Sequence, residues 1–73
     1  MNDFPLSEAE VIKKVTEILE GRDCYDVVVH QVFIHPEWAN VHVSYKWRLN
    51  AWEKVVSLTS KTLFFDNGKY ELI

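Results

Sequence analysis

The chain holds one cysteine, two glycines and two prolines among its 73 residues. A lone Cys24 cannot close an internal disulfide, which excludes the cross-linked frameworks of small secreted domains and points to a reducing, cytoplasmic setting. Two glycines, Gly21 and Gly68, cannot build a Gly-rich phosphate loop. No apolar run approaches the ~20 residues of a membrane helix. No basic-then-apolar segment stands at the start, so no signal peptide is expected. The expectation is a soluble intracellular protein without a membrane partner. It also fits a phage or plasmid product made inside a bacterial cell. There are no repeats, low-complexity stretches or linkers.

What the chain does have is apolar material, 48 % of its residues and 14 % aromatic, which argues against disorder. The length is that of one domain, spanning 1–73. A domain this small buries only ~60 % of its unfolded surface and has a thin core. Its expected stability is roughly 4–11 kcal/mol. Net charge is −3, unevenly spread. Residues 1–26 carry seven acids against three bases, and residues 27–73 carry five bases against four acids. Neither part has the charge density of a duplex-DNA binder.

Residues 1–6 read as an arm containing Phe4-Pro5. Ser7 and Glu10 form a capping box, with Leu6 and Val11 as a hydrophobic staple. Val11, Ile12, Val15, Ile18 and Leu19 make one apolar stripe, so a helix is predicted over 8–20. Gly21 is the natural stop. From Val41, strict alternation sets Val41, Val43, Tyr45, Trp47 and Leu49 on one side of a strand. His42, Ser44, Lys46, Arg48 and Asn50 fall on the other. This strand, 39–49, organises the rest. The 25–35 segment is apolar on both sides, with Tyr25, Val27, Val29 and Phe33 opposed to Val28, Val32 and Ile34. Its register is open. One register turns His30 inward; the other turns Gln31 inward and sets Asp26 against Arg48. His35-Pro36-Glu37 makes the connection. Asn50-Ala51 makes another, followed by an extended stretch over 53–65 with a bend near Ser57–Ser60. Asn67-Gly68 then predicts a two-residue hairpin to a last strand at 70–73, pairing Phe65 with Tyr70 and Leu63 with Leu72.

These elements predict an α+β domain, an N-terminal helix packed on a four-stranded antiparallel meander sheet. The alternative is a helix followed by a small, strongly curved barrel resembling the SH3-like or Sm-like architecture. No family motif is carried.

The parts of an active site are missing. His30, His35, His42 and Cys24 lack close zinc-ligand spacing. No nucleophile is set beside a base and an orienting group. The expectation is therefore no enzyme, no cofactor and no metal. The best candidate is a binding surface of His42, Lys46 and Arg48 with the aromatics Trp38, Trp52 and Phe64. Aromatics and Arg are enriched at interface hot spots. The expected function is a small protein-interaction module, a regulator or inhibitor docking on a larger protein such as RNA polymerase or a nuclease. The alternative is a single-stranded nucleic-acid or RNA-binding domain using the basic-aromatic face. A homodimer through the 25–35 strand or the last edge is compatible with either.

Overall fold

The computed structural model describes residues 4–49 and 51–73 and, for Leu49, the backbone alone. Helix α1 spans Glu8–Glu20 and is followed by strands β1 (Cys24–Ile34), β2 (Trp38–Leu49), β3 (Trp52–Asp66) and β4 (Lys69–Leu72). The strands form one antiparallel sheet in the order β1-β2-β3-β4. The sheet stays open, so the α+β meander holds and the barrel alternative does not. The Asn50 half of the second expected turn lies outside the described residues.

Helix α1 starts as its capping box requires. Ser7 Oγ accepts from the Glu10 amide at 3.2 Å, and Glu10 Oε1 accepts from the Ser7 amide at 3.3 Å. Val11, Val15 and Leu19 are fully buried, with Leu6 and Ile18 packed around them. Phe4 is also buried, edge-on to Tyr70 at 5.8 Å. Phe4 and Leu6 of the expected arm therefore contribute to the core, and its residues 1–3 lie outside the described residues. The helix end differs from expectation at Gly21, which keeps right-handed helical angles (φ −68). The amides of Arg22 and Asp23 continue to bond back, to Leu19 and Glu20. Asp23 takes the left-handed conformation (φ 62) instead. A short Asx side chain tolerates that region better than most.

One face of the sheet meets the helix. Ala39, Val41, Val43, Leu63 and Leu72 are buried there, and Tyr45 and Phe65 pack at the margin. The β2 alternation thus has the predicted direction, with His42, Ser44, Lys46 and Arg48 on the outer face. The hairpin at 67–68 is also as predicted. Asn67 and Gly68 both have positive φ, and Phe65 pairs with Tyr70, Leu63 with Leu72.

Strand β1 takes neither of the two uniform registers. Ile34 to Gln31 pair with Ala39 to His42, then the register slips at His30 and again between Tyr25 and Val28. Each slip is a β-bulge, an extra residue that reverses which parity points inward. Cys24, Val27, Val29 and Val32 consequently all pack toward the helix. Neither His30 nor Gln31 turns inward; both are exposed. Asp26, the bulge residue at φ 52, meets Lys46 rather than Arg48. The two-sided apolar appearance of this segment arises from one inward face crossing two parity changes. A third bulge falls in β3, where Leu58 has φ 38, inside the stretch where a bend was expected.

Candidate functional site

The outer sheet face carries most of the predicted surface. Trp38 and Phe64 are register partners, and with Glu37 and Thr62 they line a shallow hollow. Their presence side by side follows from alternation: both strands put their even-numbered residues outward at that end. The ring of His35 stacks on Trp38 at 3.7 Å between centroids. The His35 amide donates to the Trp38 carbonyl at 2.8 Å, closing the β1–β2 turn beneath the stack. Phe33 meets the His42 ring edge-on at 5.4 Å. Trp38, His42 and Phe64 thus belong to one aromatic end of the face, extended by Phe33 and by Ile73.

Lys46 and Arg48 lie at the other end and are both engaged. Lys46 Nζ is 3.5 Å from Asp26 Oδ2. The Arg48 guanidinium sits 5.7 Å from the centre of the Tyr25 ring, and the Tyr25 hydroxyl donates to Glu53. The bases on this face are therefore interleaved with acids. Between the two ends His30 Nε2 and Ser44 Oγ are 2.8 Å apart, beside exposed Val28, Val55 and Leu58. Alternation alone did not point to this group, because Val28 and Val55 owe their direction to the bulges.

Trp52 does not join the set. It shares parity with Lys54 and Val56, and so belongs to the helix side of the sheet, where it is 78 % exposed. The sheet outruns the helix there. A 13-residue helix is roughly 20 Å long, whereas the molecule measures 43 × 24 × 16 Å. Lys54 and Lys61, missed as site residues in the sequence, lie on that same side over aromatic rings, Lys54 over Trp47 at 5.9 Å and Lys61 over Tyr45 at 6.0 Å. Their signal was parity with Val56 and Leu63, obscured by the β3 bulge.

Among the described residues, no three His, Cys, Asp or Glu side chains gather as a metal site. The three histidines are separated in their contacts, with Ser44, Trp38 and Phe33 respectively. Burial pushes the Cys24 thiol above its ordinary pKa, against the downward pull of Arg22 and Lys61. A raised thiol carries little thiolate at neutral pH and is a poor nucleophile. Among the described residues, no helix is long and apolar enough to cross a membrane.

Comparison with known protein families, curated proteins and solved structures finds no match to this chain.

Proposed function

We propose that the chain is a small non-catalytic binding module that docks the outer face of its sheet on a larger protein. The observation that carries this reading is apolar exposure on an uncovered sheet. Val28, Phe33, Trp38, Val55, Leu58 and Ile73 are each 38 % exposed or more, all on that face. Single exposed apolar groups are ordinary, but a face with six of them is the pattern of an interaction surface. The aromatic end supplies large rigid rings that lose little entropy on docking. The interleaved Asp26–Lys46 and Tyr25–Glu53 pairs form a polar margin at the other end. A regulator or inhibitor of a large host machine, such as RNA polymerase or a nuclease, is the role this reading extends to by analogy with other small intracellular modules.

Affinity capture with the tagged chain tests it. The wild type recovers a stoichiometric protein partner from a bacterial lysate, and the double variant Phe33→Ala/Trp38→Ala loses it while keeping its circular dichroism spectrum. Equal recovery by the two chains means the aromatic end is not the docking surface. The nucleic-acid alternative gains little on this face, since Lys46 and Lys69 are paired with Asp26 and Glu71 and Arg48 lies beside the Tyr25–Glu53 pair.

A further inference from the structure

The helix side of the sheet, beyond the end of α1, holds a second surface of different chemistry. Arg22, Lys54, Lys61, Tyr45 and Trp47 line an open cleft there, together with Cys24 and the apolar Leu19 and Val56. Three of the eight are cations and two are large aromatics, and among the described residues no carboxylate lines it. The sheet's own acids, Asp26, Glu53, Asp66 and Glu71, lie on the outer-face side. Glu20 and Asp23 border an adjoining hollow, with Tyr25 and Arg48, that meets the cleft at Cys24. A chain of net charge −3 therefore presents one locally cationic, ring-lined path.

The three cations are held in place and, among the described residues, form no ion pair. Arg22 donates to the Leu72 carbonyl at 2.9 Å, which anchors one nitrogen and leaves the charge of the guanidinium uncompensated. Lys54 and Lys61 rest over Trp47 and Tyr45 at 5.9 and 6.0 Å, the outer limit of a cation–π contact. Contacts that loose are worth little at an exposed site, so either ammonium can swing to a phosphate and uncover the ring beneath. Trp52, at 78 % exposure, continues the aromatic line toward the β2–β3 turn. Alternating cations and ring faces along an open groove match a strand of phosphates with unpaired bases.

We infer that this cleft is a binding site for single-stranded nucleic acid, with Arg22, Lys54 and Lys61 on the phosphates and Trp47 and Trp52 as stacking platforms. The site is on the face opposite the proposed docking surface and does not depend on it. Three phosphate contacts give a salt slope of about −2 in log K against log salt for a single strand. Base stacking quenches tryptophan emission, which phosphate contact alone does not require.

The experiment is a titration of the full chain with a fluorescein-labelled oligo(dT) of about 12 nucleotides, a length within the range of small single-strand binders. It is read by anisotropy and by tryptophan emission at low and moderate salt. Saturable binding with the stated slope and quenching is expected. Lys54→Ala/Lys61→Ala lowers affinity at least tenfold, and Lys46→Ala/Arg48→Ala on the outer face changes it less than twofold. Quenching persists in Trp38→Phe, which removes the outer-face indole. No saturable binding at low salt overturns the inference. So does an equal loss from the outer-face pair, or disappearance of quenching in Trp38→Phe. Inorganic polyphosphate competing as well as the oligonucleotide also overturns it, because a generic anion site has no use for bases. The slope and the quenching are read on the wild type, so the test stands even where a lysine variant folds poorly.

Discussion

Asp26 and Lys46 face each other across β1 and β2 with 3.5 Å between carboxylate and ammonium, although strict pairing counts would set them on different rungs. The contact exists because Asp26 is the extra residue of a bulge and points outward beside Tyr25. It binds one of the strong bases on the outer face, and so helps decide which surface is free to meet an anion. Both groups are well exposed, and the pair itself adds little to stability.

The core is thin enough for one truncation to matter. Leu63 is fully buried between the helix stripe and Leu72. Leu63→Ala should cost about 2–5 kcal/mol, a large part of what a domain of this size has. Urea unfolding followed by circular dichroism measures it, and a loss under about 1 kcal/mol means the site collapses around the gap.

Leu58 occupies a left-handed conformation that a β-strand leucine rarely takes, with 61 % of its surface exposed. That conformation costs a non-glycine residue about 1–2 kcal/mol, more than glycine's extra chain entropy. Leu58→Gly should therefore raise stability by about 0.5 kcal/mol while weakening capture of a protein partner. Thr59→Gly, one residue on and pointing toward the helix, should lower stability by about 1 kcal/mol. A destabilised Leu58→Gly overturns the account of the bulge.

Glu10 accepts hydrogen bonds from the backbone and side chain of Ser7, and these hold its carboxyl below the ordinary range, with Lys14 adding to the effect. A carboxyl lowered on folding stabilises the fold above its unfolded pKa, and that contribution is lost as pH falls through its folded pKa. Glu10→Gln should thus be less stable than the wild type at neutral pH. The gap should close on acidification below the carboxylate range. Paired denaturation curves from neutral to acid pH decide this; a constant gap assigns the effect to shape and not to charge.

Cys24 should alkylate slowly in the native chain. Its thiol is pushed up by burial, and the thiolate is the reactive form. Iodoacetamide at neutral pH, followed by mass spectrometry, should modify the urea-unfolded chain several-fold faster than the folded one. Equal rates remove the argument that this thiol is a small packing group.

Helix α1 and the β3–β4 hairpin were legible because their signals are local. Ser7 with Glu10 marks a start, and Asn67-Gly68 marks a reversal, each complete within four residues. The inward side of β2 was equally plain, from Val41 to Tyr45. The faces of β1 were not, since a bulge is decided by the partner strand and reverses parity without a dedicated residue type. Asp26 and Leu58 carry positive φ without being glycine, so composition gave no warning. The same reversals explain the binding surfaces. His42, Lys46 and Arg48 share the face that alternation assigned them, and Trp38 and Phe64, whose direction the sequence left open, join them there. Trp52, Lys54 and Lys61 share the other, which the helix was expected to cover but does not reach along its full length.

The irregular outer strand has a further consequence for growth by addition. A fifth strand laid along β1 would find its row of donors and acceptors broken at Asp26 and again at His30. At the opposite rim, β4 covers only the Leu63–Asp66 end of β3, and the β3 edge left open beyond it is interrupted by the bulge at Leu58. Sheets with two such rims resist stacking into fibres side by side. The docking proposed above uses the broad surfaces instead, where side chains, not backbone, would choose the partner.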